Sequence, residues 1–150
     1  MKHAGPLNLH EFMQQPGNLT SSNLASLSWQ LLLALESTHA AQICHRDVKP
    51  DNIIIRSLGE TEAKSEAQSG FYLTLIDFNV AVCSHSGPIE GDFGVKEWSA
   101  PETRSKNAYT EVSDMWSYAC VLFFMFTGGR EMFEGLPVEQ TIEMKLDNLE

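Results

Sequence analysis

The sequence predicts an α+β fold in which helices dominate, and three observations carry that reading. Leu24, Leu27, Leu31, Leu32 and Leu35 recur at i, i+3, i+7, i+8 and i+11, one stripe of a long helix. Two short β-branched or aromatic runs, Ile53–Ile55 and Phe71–Ile76, flank a polar, glycine-bounded stretch, as in a two-strand ribbon. A second helical run, apolar nearly all round, spans about Ser113 to Thr127 and stops at Gly128-Gly129. With 150 residues, 43% of them apolar, the chain can bury one compact core.

The elements follow in order. Leu9, Phe12 and Met13 give a short helical segment that Pro16-Gly17 stops. Thr20, Ser21, Ser22 and Asn23 offer N-caps for the long helix, which should run to about His39. After Ile55, residues 57–70 read as a hairpin insertion, rich in Glu, Ser and Ala and poor in apolar residues. Residues 80–93 carry Gly, Pro and Ser with little periodicity, so a loop is expected there. The greasiest stretch, Ala119–Phe126, is far short of the roughly 18 apolar residues of a membrane span and predicts a buried helix. A last helix should start at Pro137, with Val138, Ile142, Leu146 and Leu149 on one stripe.

Composition excludes several functions. A net charge of −10 argues against a nucleic-acid or anionic-membrane surface, either of which needs clustered Lys and Arg. Cys44, Cys83 and Cys120 are widely spaced with no CxxC pair, so neither a zinc site nor a disulfide framework is indicated. A reducing, intracellular compartment is the expectation, cytoplasm first. No charged start followed by an apolar run opens the sequence, so no signal peptide is expected.

The chemistry concentrates in His45-Arg46-Asp47-Val48-Lys49-Pro50-Asp51-Asn52. This string resembles the catalytic loop of eukaryotic serine/threonine protein kinases, H-R-D-x-K-P-x-N. Six matched positions arise by chance roughly once in 10^8 starts. The resemblance implies ATP and Mg2+ as cofactors and a protein substrate with a Ser or Thr acceptor. Asp47 would accept or orient the hydroxyl proton, Lys49 would touch the γ-phosphate, and Asn52 would bind magnesium. Phosphoryl transfer needs an aligned hydroxyl and neutralised phosphate oxygens more than covalent help, which a loop presenting alternate side chains to one point supplies.

Asp77-Phe78-Asn79 ends the second β run where the family has Asp-Phe-Gly, and Asp77 would be the second metal ligand. Asn is the most tolerable replacement for that glycine if the position needs φ > 0. Ala100-Pro101-Glu102 matches the motif that closes the activation segment, here residues 77–102, with Gly94 and Trp98 at sensible offsets. Asp114 matches the family's helix aspartate that caps the catalytic loop, and a plain first-turn acid is the alternative. His39 fits the lead-in to the loop, most simply as a structural histidine.

The resemblance therefore implies the mainly helical C-terminal lobe of a protein-kinase-like fold with a short β ribbon, from the hinge at Met1 to an αG-like helix. No Gly-x-Gly-x-x-Gly loop, strand lysine or partner glutamate occurs, so the N-lobe is absent from the expected domain. The arginine that usually pairs with the glutamate at Glu102 is also missing, which predicts a carboxylate without its buried partner. Val95 stands where the family carries a threonine whose hydroxyl ties the substrate loop to the catalytic Asp and Lys, and Lys96 replaces a proline. Arg46 usually meets a phosphorylated residue; here Glu90 and Asp92 flank Gly91 at that position, with Ser84 and Ser86 as rival phosphosites. Two further readings compete with the kinase: a kinase-like binding module without catalysis, and a small-molecule kinase of the same fold.

Overall fold

The computed structural model describes residues 5–58, 70–83, 95, 97–105 and 109–134. Strand β1 (Leu7–Asn8) leads directly into helix α1 (Leu9–Met13). A reciprocal pair fixes this start: Glu11 N–H donates to Asn8 Oδ1 and Asn8 N–H to Glu11 Oε2, both at 2.9 Å. Helix α2 (Ser21–Ala40) begins where the Ser/Thr cluster predicts it, with Thr20 Oγ1 accepting from Asn23 N–H at 3.1 Å. Its Leu24, Leu27, Leu31 and Leu35 are buried, and Leu32 lies at the edge of the stripe, half-buried.

Gln42 closes α2. It follows the cap residue Ala41 with φ 59°, and its N–H donates to His39 O at 2.8 Å. The left-handed region costs an L-residue about 1–2 kcal/mol that glycine does not incur. Glycine gives back about 0.5–1 kcal/mol through its looser unfolded chain. Gln42→Gly is therefore expected to stabilise the protein by about 0.5–1 kcal/mol, read as a higher urea midpoint at unchanged slope. A lower midpoint would show that the exposed Gln42 side chain contributes something the backbone geometry does not reveal.

Three antiparallel strands form the main sheet in the order β1-β3-β4, with β3 at Ile53–Ser57 and β4 at Phe71–Leu75. The register pairs Ile53 with Leu75, Ile55 with Leu73 and Ser57 with Phe71. Leu58 N–H to Gly70 O (2.7 Å) and Ile76 N–H to Asn52 O (2.9 Å) extend the ladder at both ends. Ile53, Ile55, Leu73 and Leu75 face the core with the α2 leucines and Phe12. Alternation puts Asn52, Ile54 and Arg56 with Tyr72, Thr74 and Ile76 on the other face. The inserted residues 59–69 lie outside the described residues.

A smaller pairing was not visible in the sequence. Strand β2 (Ile43–Cys44) pairs with β5 (Val82–Cys83), so part of the expected 80–93 loop is strand. Two residues are too few to show a period, and their partner is almost forty positions away. Helix α3 (Pro101–Ser105) follows, and then α4 (Glu111–Phe126), which starts two residues before the predicted Ser113. Gly128, at φ 77°, ends α4 as expected, with Gly129 N–H donating to Phe124 O at 2.8 Å. The expectation of a buried helix holds for one side only. Cys120, Val121, Phe124 and Met125 are buried, while Val112, Phe123 and Phe126 are exposed. The expected Pro137 helix lies outside the described residues.

Candidate active site

The loop His45–Asn52 is shaped from beneath by one carboxylate. Asp114, fully buried on α4, accepts from His45 N–H (2.7 Å, Oδ2) and Arg46 N–H (2.9 Å, Oδ1), with His39 Nε2 3.0 Å from Oδ2. Asp114 thus caps the loop, and His39 at the end of α2 orients it. Held this way, Arg46 adopts φ 68°, a left-handed turn between His45 and Asp47.

His45 spends both ring nitrogens inside the site. Nε2 lies 2.9 Å from Ile76 O, and Nδ1 accepts from Asp47 N–H at 3.3 Å. With Nδ1 accepting, the Nε2–H is the donor to Ile76 O. The ring also meets Phe78 edge-on, 4.6 Å between centroids. Arg46 Nε donates to Val80 O at 2.6 Å, and its guanidinium lies 5.0 Å from the Tyr109 ring centre. Burial pulls the Arg46 pKa below its ordinary value, an effect that Tyr109 opposes. Two consecutive loop residues therefore grip the segment that follows β4. Glu90, Gly91, Asp92, Ser84 and Ser86, the expected neighbours of Arg46, lie outside the described residues.

Three of the four predicted site residues converge. Asp47 Oδ2 takes Lys49 Nζ at 2.6 Å and Asn52 Nδ2 at 2.8 Å, and Asn52 Nδ2 also reaches Asp47 O at 2.8 Å. The Lys49 and Asp47 side chains are only 18% and 13% exposed, so the pair is largely shielded from water. Pro50 opens the 3-10 turn Pro50–Asn52 that returns Asn52 to Asp47. Val48, pointing the other way, is buried in the core. Because Oδ2 receives both bonds, Asp47 Oδ1 is left without a partner among the described residues. Asn52, using its amide nitrogen on Asp47, keeps Oδ1 as an oxygen donor.

Asp77 makes no hydrogen bond to this trio, but the backbone brings it alongside. Ile76 N–H is bonded to Asn52 O, and Asp77 is the next residue. The tripeptide also corrects one expectation. Its left-handed residue is Asp77, at φ 65°, whereas Asn79 does not have positive φ. Asn79 instead donates its N–H to Asp77 Oδ1 at 3.3 Å, a turn that any residue at this position can make through its backbone.

The closing motif rests on α4 too. Ser117 Oγ donates to Trp98 O at 2.8 Å, and Ser113 Oγ to Glu102 Oε1 at 3.0 Å. Glu102, expected to lack its arginine partner, is thus met by a hydroxyl. Val95 is 39% exposed, and its carbonyl accepts from Trp98 N–H (3.0 Å) and Ser99 Oγ (2.9 Å). Gly94 and Lys96 lie outside the described residues.

Ile54 and Ile76 are site residues the sequence reading passed over. They share the open face of the ribbon with Asn52, and Ile76 remains 38% exposed. Counting in twos from Asn52 would have found them. The three cysteines are free, and burial raises the Cys44 thiol to about 11, so it is no nucleophile at neutral pH. Among the described residues no His, Cys, Asp and Glu cluster has metal-binding geometry, and no helix is long and apolar enough to cross a membrane.

The whole chain, residues 1–150, matches the family described as protein kinase domain. It is 29% identical over 135 residues to the mitogen-activated protein kinase SLT2/MPK1 of Saccharomyces cerevisiae, covering 85% of this chain and 25% of that one. The mitogen-activated protein kinase 4 of Rattus norvegicus is 30% identical over 141 residues, covering 90% of this chain and 47% of its own. The chain thus spans less than half the length of these relatives. A structure of the yeast RNA Pol II CTD kinase CTDK-1 complex superposes with a TM-score of 0.75 at 26% identity, over 91% of this chain and 42% of that one.

Proposed function

Since the chain belongs to the protein kinase domain family, we propose that the protein carrying it transfers the γ-phosphoryl group of ATP to Ser or Thr hydroxyls of protein substrates. The observation that carries this reading is the Asp47–Lys49–Asn52 trio, with one Asp47 oxygen committed and the other open among the described residues. The substrate hydroxyl donates to Asp47 Oδ1 and passes its proton there as its oxygen bonds to the γ-phosphorus, while the bond from that phosphorus to the β-phosphate bridging oxygen breaks and ADP leaves. Lys49 holds Asp47 in place and sets a positive charge where the γ-phosphate arrives. ATP supplies the phosphoryl group, and Mg2+ neutralises its oxygens.

The residues present fit both groups. Asn52 Oδ1 and the Asp77 carboxylate are hard oxygens at one end of the ribbon, the donor type Mg2+ takes. Ile54 and Ile76 offer an apolar floor beside them for a planar base. Residues 77–102 act as the activation segment, and 57–70 as a hairpin insertion outside the chemistry.

The test is phosphate incorporation into a Ser/Thr protein substrate by the whole gene product. Asp77→Ala is expected to lower the rate by on the order of 10^2–10^3-fold, with more metal needed for half-activation. Transfer that proceeds undiminished in this variant sinks the assignment. A binding module without catalysis is the second reading, favoured by Val95, whose exposed methyls cannot make the bonds of a hydroxyl. It predicts no incorporation by the unaltered protein.

A further inference from the structure

A side chain from α2, Gln30, lies on the outer edge of β4. In the β3–β4 ladder the bonds at Leu58–Gly70 and Asn52–Ile76 fix the alternation, so Phe71, Leu73 and Leu75 turn their backbone groups away from β3. Gln30 meets two of them. Its Nε2 donates to Phe71 O at 3.1 Å, and its Oε1 accepts from Leu73 N–H at 2.9 Å. The strand dictates the amide orientation, since the reverse would set donor against donor. The second Nε2 hydrogen reaches Ser26 Oγ at 3.2 Å.

From these contacts we infer that Gln30 is a positioning residue for Asp77, resting on the proposed role of Asp77 as a metal ligand. Four residues beyond Leu73, β4 delivers Asp77. Nine residues beyond Gln30, on the same helix, His39 braces Asp114, which frames Asp47. One rigid helix therefore spaces the strand that carries Asp77 from the carboxylate that shapes the catalytic loop, over about 13 Å. Apolar packing of Leu27 and Leu31 against the ribbon holds α2 down but resists sliding poorly, because it has no direction. The paired amide bonds have direction, and they fix β4 along its own axis.

The experiment titrates Mn2+ into the 15N-labelled protein and follows paramagnetic broadening of the Asn52 and Asp77 amides. Gln30→Met keeps the length and the unbranched stem but loses both strand bonds. It is expected to speed hydrogen exchange at Leu73 N–H and to raise the Mn2+ midpoint about tenfold, the size found when a group orienting a metal ligand is lost. Ser26→Ala, which spares both strand bonds, is expected to leave the midpoint in place. Should Gln30→Met not fold, Gln30→Glu keeps the acceptor for Leu73 N–H and is expected to give a smaller shift in the same direction. An unchanged midpoint in a folded variant overturns the inference about Gln30 alone. Absence of broadening in the unaltered protein overturns it together with the metal role of Asp77 and Asn52.

Discussion

Asp47→Asn in the whole gene product is expected to lower phosphoryl transfer by about 10^2–10^4-fold while ATP binding persists. An amide in place of the carboxylate cannot take the hydroxyl proton, and its NH2 group would face the donors Lys49 Nζ and Asn52 Nδ2 or displace the substrate hydroxyl. Nucleotide affinity should survive, because Asp77, Asn52 Oδ1 and the Ile54–Ile76 floor are untouched. Single-turnover transfer and equilibrium nucleotide binding, measured on the same preparation, separate the two effects. A parallel loss of both would mean that Asp47 builds the site and does not act within it.

Asp114→Ala is expected to be the most destabilising single change among the described residues. It strands the His45 and Arg46 amides and the His39 ring in a buried site, at about 1–3 kcal/mol for each unsatisfied group. A total of about 3–5 kcal/mol lowers the melting temperature by on the order of 10 °C for a chain of this size. Activity should vanish first, since Arg46 keeps its left-handed turn only while both amides are held. Calorimetry decides the matter. A melting temperature within about 2 °C of the parent would reduce Asp114 to an ordinary first-turn acid.

Much of this was legible in the residues, and the reasons differ by element. Helix α2 announced itself because five leucines keep one period over three turns and a threonine stands ready to cap them. Asp47, Lys49 and Asn52 were legible because the resemblance that marks them sits in one local string: eight consecutive residues hold the trio, and a 3-10 turn closes it. Asp114 needed the resemblance, since nothing within its own helix says that its oxygens serve amides 68 and 69 residues away. The β2–β5 pairing and the bracket of Gln30 on β4 were not legible at all. Both join short segments across long stretches of chain, and neither leaves a period or composition to read. The strain at Asp77 was misplaced by two residues, because a glycine in the family pattern drew attention to Asn79.

Among the described residues, three non-glycine residues adopt left-handed backbone: Gln42, Arg46 and Asp77. They differ in who benefits from the strain. At Gln42 a helix merely ends, and glycine could take over the geometry at no loss to the site. At Arg46 and Asp77 the same geometry carries side chains that bond Val80 and serve the proposed metal site. A screen that selects for thermal robustness alone would treat all three alike, since at each the backbone strain glycine would relieve exceeds what its looser unfolded chain costs, by about 0.5–1 kcal/mol. Breeding for heat tolerance would thus improve the chain at Gln42 and disarm it at Arg46 and Asp77. Among these residues, the distance between the sturdiest version of this chain and the working one is set by two dihedral angles.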